Sequence, residues 1–195
     1  MKIARIVRSN SHVDYVGRIL DRLEVADPPA PSDYGFAQFV RIPTDDSEIV
    51  GVVYDSLLIN PRYGDYGPRL SPRAELEILS PDYLDELGVL IGILVLGWWA
   101  GSEAHQAIPQ RVIPVAAEVY RMTADEVRRF HLGRDGRLRL HYFAQIMTHA
   151  REMAIPLISA IIEQLESFSS GEEARRLCVL KKTLAWQRVF QNARF

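Results

Sequence analysis

Apolar and polar positions alternate along the first half of the chain in short bursts. Residues 36–42 show the clearest period of two, residues 2–7 alternate weakly and are rich in β-branched side chains, residues 74–79 alternate apolar with acidic side chains, and residues 15–20 and 49–54 are further strand candidates. The run from Leu87 to Trp99, LGVLIGILVLGWW, does not alternate at all. A membrane-spanning helix needs about 20 apolar residues, and Gly88, Gly92 and Gly97 would weaken a helix here. The run therefore predicts a strand, or two short strands, buried on both faces. Turn-forming segments separate these stretches. Residues 27–32 carry three prolines, which have no ladder donor. Residues 44–47, TDDS, predict a hairpin turn, and residues 60–72, NPRYGDYGPRLSP, a long loop. Ser80 as N-cap, with Pro81, Asp82, Asp85 and Glu86 behind it, predicts a short helix stopped by Gly88. About six short strands with closely spaced turns imply a small closed barrel, since closure removes the sheet edges.

Beyond residue 101 the period changes. Residues 102–114, broken by Pro109 and Pro114, predict a linker or crossover. Thr123 followed by Glu126 predicts a capping box and a helix to about His131. Residues 139–168 have helical spacing, with Tyr142, Ile146, Ala150, Met153, Leu157, Ile161 and Leu165 on one face and a kink or break at Pro156. After a loop at 167–171, residues 172–191 predict a last helix with Leu177, Leu180, Leu184 and Val189 in the core. Two helices joined so briefly pack antiparallel. The expected fold class is α+β, with a β-barrel domain at 1–101 and a helical domain at 102–195.

Composition supports a core-forming globular chain: 48% hydrophobic and 25% charged in 195 residues. The formal net charge of -2 lacks the basic excess of a protein built around nucleic acid. Arg128–Arg129 and Arg175–Arg176 have acidic neighbours at helical spacing and predict local ion pairs. Cys178 is the single cysteine. It excludes an internal disulfide and predicts a buried, inert thiol. With no signal-like stretch at residues 1–5, a cytoplasmic location is expected.

Phosphate-cradling, dinucleotide-binding and nucleophile-elbow motifs are absent. No catalytic residue, metal ligand or cofactor is assigned. His141 and His149, eight apart, would share a face of one helix with Glu152 nearby. They would stand about 12 Å apart along its axis, too far for one ion. His131 follows a helix whose negative end suits a cation. The loop at 60–72 is the most unusual feature. Tyrosine offers a large contact area at low rotamer entropy, and Tyr and Arg lead among contact hot spots. Asn60, Arg62, Tyr63, Asp65, Tyr66 and Arg69 are the candidate partner-binding residues.

The stretch DYGFAQFVRI at 33–42, followed by EIVGVVYD at 48–55, resembles the HAS-barrel domain family. This is the small N-terminal β-barrel of HerA-type DNA-translocating ATPases and rotary ATP synthase subunits. Phe39–Val40 and Val50–Gly51–Val52 stand where that family has its Phe/Tyr-Val and Val-x-Gly-x-Val strands. The resemblance covers about residues 1–100. The family's ATPases continue into a nucleotide-binding domain, whereas this chain continues into a helical segment without a nucleotide motif. The resemblance thus implies a stand-alone, non-catalytic accessory or assembly module. Its expected partner is a HerA-type ATPase ring, its nuclease, or another copy of the chain, with nucleic acid only indirectly involved and no membrane.

Two rival readings remain from the residues. One is a metal-dependent enzyme with a composite site between barrel and helices, using His105, His131 or His149. The other is a single-stranded nucleic-acid binder built like an OB fold. If the loop is the contact surface, Tyr63→Ala and Tyr66→Ala weaken partner binding by a few kcal/mol. Calorimetric titration against the partner measures that loss, and the unfolding midpoint stays unchanged.

Overall fold

The unbroken apolar run forms one long strand buried on both faces. A computed structural model describes residues 1–22, 24–59, 88–133 and 135–192. Its strands are β1 (Lys2–Ser9), β2 (Asp14–Ile19), β3 (Phe39–Pro43), β4 (Glu48–Ile59), β5 (Gly88–Ala100), β6 (Glu103–His105) and β7 (Glu118–Arg121). Four helices follow: α1 (Ala124–His131), α2 (Phe143–His149), α3 (Ala154–Glu166) and α4 (Gly171–Asn192). The strand order is β2-β1-β7-β3-β4-β5-β6, and a further β2–β5 pairing closes six antiparallel strands into a barrel. β6 adds to the far end of β5, with Trp98 opposite His105. The architecture is the expected α+β: a closed six-stranded barrel followed by helices. No helix among the described residues is long and apolar enough to cross a membrane.

β7 closes the gap between β1 and β3, pairing Ala4 with Val119 and Val40 with Arg121. It lies beyond residue 101, where the sequence pattern ends the barrel. Its four residues are too few to carry a period, and only Val119 is fully buried. The stretch leading to it is more than a linker. It holds β6 and then crosses one barrel end, where Ile113 is buried and its amide donates to the Tyr15 hydroxyl at 3.2 Å. The expected strand at 74–79, the helix from Ser80 and the loop at 60–72 lie outside the described residues.

β3 starts at Phe39 rather than at residue 36. Ala37 sits in the left-handed region (φ 65), and its amide reaches the Val53 carbonyl at 2.8 Å. That turn sends the preceding chain away from β4. The hairpin between β3 and β4 forms as expected, with the Thr44 amide donating to the Ser47 carbonyl at 2.8 Å.

The helices cover the outer face of the barrel. Ile49, Val50, Val52 and Val53 of β4 are all buried, and so are Ile93, Leu94, Val95 and Leu96 of β5. Two side-chain amides seat the layer on strand-side carbonyls: Gln145 of α2 donates to Val95, and Gln164 of α3 donates to Ala37 at 2.8 Å. Thr123 and Glu126 form the expected capping box at the start of α1. Arg41 of β3 pairs with Glu48 at 2.8 Å and with Glu126 at 3.2 Å, and lies over the Tyr120 ring. One guanidinium thus links β3, β4, β7 and α1.

Three expectations for the helical half need correction. The segment at 139–168 breaks at residues 150–153, where Arg151 adopts φ 51, and not at Pro156. Pro156 falls in the first turn of α3, where its missing amide has no helical acceptor to lose. Met153 falls in the break and is 39% exposed. Cys178 is exposed. α4 buries Leu177 and Leu184, two turns apart, and a neighbour of Leu177 is rotated about 100° off that face. The arginine doublet at 175–176 behaves as expected in part: Arg176 pairs with Glu172 and Glu173.

Close strand approaches explain two glycines. A Cβ on Gly51 would meet the Ile93 methyl at 2.7 Å, and one on Gly97 would meet the His105 carbonyl oxygen at 2.0 Å. Gly97→Ala must displace the β6 backbone and is expected to cost about 1–3 kcal/mol. Gly35→Ala meets only an ordinary contact, 3.8 Å from the Pro31 carbonyl oxygen, and should stay within about 0.5 kcal/mol. Urea unfolding of both variants measures the difference.

Candidate functional site

Asn60, Arg62, Tyr63, Asp65, Tyr66 and Arg69 lie outside the described residues. The histidines are placed, and they do not converge. His12 contacts the Pro109 carbonyl at 2.6 Å. His105 stacks on Trp98 with ring centroids 4.9 Å apart. His141 precedes α2 rather than lying on it, and its amide donates to the Gln106 side chain at 2.8 Å. His149 ends α2. Among the described residues no three His, Cys, Asp or Glu side chains come together as a metal site.

His131 is not the helix-end cation that its position suggests. It has no exposed surface. Its Nδ1 lies 2.7 Å from the Val127 carbonyl and its Nε2 lies 2.5 Å from the Tyr142 hydroxyl. A neutral ring satisfies both: Nδ1–H donates to Val127, and Nε2 accepts from Tyr142. The Phe39 and Phe130 rings meet it edge-on, at 5.2 and 5.3 Å. Burial pushes the imidazole down to about 4. Desolvating a charge costs several kcal/mol, whereas a helix end returns about 0.3–1 kcal/mol, so the neutral form wins. The pair joins α1 to the residue that opens α2.

Among the described residues, an open trough lies between the barrel wall and the α2–α3 break. Its polar half, about 750 Å³, is lined by Asp14, Tyr54, Asp55, His149, Arg151 and Glu152. Its apolar half, about 600 Å³, is lined by Tyr34, Phe36, Val53, Leu58, Val89 and Met153. Tyr54, Asp55 and Met153 line both, so the halves adjoin. Five loci build it: the β1–β2 hairpin, the turn carrying Tyr34 and Phe36, the outer part of β4, the start of β5 at Val89, and the break at Arg151. The left-handed backbone of Arg151 is strained for a side-chain-bearing residue.

A relay of hydrogen bonds orders the polar half. Arg8 donates to the Asn10 carbonyl oxygen at 3.0 Å, Asn10 donates to Asp14 at 3.0 Å, and the Tyr54 hydroxyl donates to Asp14 at 2.9 Å. Burial first, and then the Asp14 hydrogen bond, raise the Tyr54 phenol well above its usual range. Tyr54 is therefore a fixed donor at neutral pH and no phenolate nucleophile. Two hydroxyls nearby are committed to backbone: Thr148 donates to Ala144 at 2.9 Å, and Ser11 accepts from the Val13 amide at 3.3 Å. The trough offers an apolar wall beside three carboxylates and one guanidinium. The sequence did not single out Tyr54, Asp14 or Arg151. Strand alternation stops near Tyr54, and nothing in the local pattern marks the break at Arg151.

Stability should report the buried histidine. The folded-state value, about 4, lies below the roughly 6.5 of an exposed histidine. Between those values the unfolded chain takes up a proton that the folded chain does not. This contribution is therefore complete above about pH 6.5 and is lost as pH falls toward 4, by about 1.4 kcal/mol per pH unit. His131→Gln removes that slope from the pH profile of urea midpoints, whatever its baseline stability.

A family model described as a domain of unknown function, DUF8166, matches residues 1–194. No curated protein matches the chain. The match runs through both the barrel and the helices that cover it, and this chain therefore belongs to the DUF8166 family.

Proposed function

We propose that the protein is a non-catalytic assembly module that docks onto a protein partner, of the kind represented by a HerA-type DNA-translocating ATPase or its nuclease. The observation that carries this reading is the exposure of large apolar side chains where β4 runs past β3. Leu57 is 62% exposed and Leu58 is 77% exposed. Leu58 shares the apolar half of the trough with the exposed Phe36 and Met153, and apolar surface grouped beside polar walls is typical of interaction sites. The likeness of residues 33–55 to the HAS-barrel family favours the same role, because the barrel in that family serves assembly.

The chemistry supports binding over turnover. Ile3, Ile6 and Ile91 of the barrel strands belong to one buried apolar cluster. His131 is sealed in the core, and His105 is stacked on Trp98. The hydroxyls of Ser11, Thr148 and Tyr54 at the trough are engaged with backbone or with Asp14.

Affinity capture of the full chain from its native cell, read by quantitative mass spectrometry, tests the proposal. Enrichment of a ring ATPase or a nuclease to near-stoichiometric level is the expected result. Recovery of nothing above a mock capture overturns it.

A further inference from the structure

β3 and β4 begin together but do not end together. Their pairing runs from Pro43 opposite Glu48 to Phe39 opposite Val52. β4 then continues to Ile59, accompanied on its other side by β5 as far as Gly88. The left-handed turn at Ala37 has carried the chain before β3 away from the sheet. Residues 54–59 of β4 therefore have β5 on one edge and no strand partner among the described residues on the other.

The apolar half of the trough lies along that vacated edge. Val53, Tyr54, Asp55, Ser56 and Leu58 line it together with the turn carrying Tyr34 and Phe36. Phe36 is 43% exposed and Met153 is 39% exposed. The Ser56 amide donates to the adjoining Asp55 carboxylate at 2.8 Å. An incoming backbone carbonyl could take over that donor. The edge also carries none of the lysines or prolines that commonly guard exposed strands. Six residues of strand span about 20 Å, the reach of a short extended peptide.

We propose that the outer edge of β4 accepts an extended segment of the partner protein as an added strand, apolar at alternating positions with basic residues between them. The mode is β-augmentation, in which main-chain bonds supply affinity and side-chain pockets supply specificity. The apolar positions face Phe36, Leu58 and Met153. The basic positions answer the described charges of the trough, where Asp14, Asp55 and Glu152 outnumber Arg151. The inference rests on the docking role proposed above and adds to it the site and the partner's chemistry.

The test is titration of the ¹⁵N-labelled full chain with an acetylated hexapeptide of alternating valine and lysine. A valine–glutamate hexapeptide serves as the control. Saturable shifts at the Phe36, Ser56 and Leu58 amides are expected, with the acidic peptide at least tenfold weaker. Leu58→Glu, at an exposed position that the core does not need, should weaken the basic peptide at least tenfold. Shifts confined to other surfaces, no shift at millimolar peptide, or equal affinity for the acidic peptide overturns the proposal. Capture from the native cell separates the two readings. If the partner is recovered equally well by Leu58→Glu, the groove is wrong and the docking role stands. If the native chain recovers no partner, the docking role fails whatever the peptide does.

Discussion

A strand that is apolar on both faces has to be covered on both faces. β5 imposes that constraint, and most of the structure answers it. Its inner face is covered because β2 pairs along Leu90 to Leu94 and closes the barrel. Its outer face is covered by helices, seated through Gln145 on the Val95 carbonyl. β4 shares both environments, and so its residues from Ile49 to Val53 carry no polar side chain. The barrel and the helical layer are two sides of one core, with Phe39, Trp99, Phe130 and Tyr142 in the same cluster as the strand residues.

Covering an outer face with helices brings polar groups into the core, and each needs a partner. The His131–Tyr142 pair is the clearest instance. Both groups are buried, and each supplies what the other lacks: Tyr142 the donor and His131 the acceptor. Gln106 acts similarly nearer the surface. Its side-chain amide donates to the Phe130 and Arg139 carbonyls, and its oxygen accepts from the His141 amide. These contacts give the helical layer one orientation, which apolar packing alone specifies less sharply.

The trough is a consequence of two backbone departures. Ala37 turns the chain away from β4, and Arg151 interrupts what would otherwise be one long helix. Both adopt left-handed conformations that cost residues with a Cβ about 1–3 kcal/mol. Such strain persists only where the surroundings impose it. At Ala37 they do so visibly: its amide is held by the Val53 carbonyl, and its carbonyl is held by Gln164. The result is an edge of β4 that is open among the described residues, facing an amphipathic channel.

Much of the architecture was legible in the chain. Alternation marked β1 and most of β3, and short apolar stretches between turns marked β2 and the first half of β4. The non-alternating run marked β5 as doubly buried, and the Thr123–Glu126 spacing marked the start of α1. These are local signals, because strand and helix periods are properties of neighbouring residues. The trough was not legible. Asp14, Tyr54 and Arg151 come together only through strand pairing and helix packing, and none has a local reason to be singled out. β7 was hidden for a related reason: four residues carry too little pattern, and their place between β1 and β3 is decided by the gap left in the barrel. The ionisation of His131 was hidden as well. Helix position favours a cation, but burial, which belongs to the tertiary structure alone, makes the charge too costly. The sequence by itself determined where β1 to β5 and the helices approximately lie. Only the tertiary structure decided which edges close, which stay open and which charges survive, because those outcomes depend on solvent exclusion between residues distant in the chain.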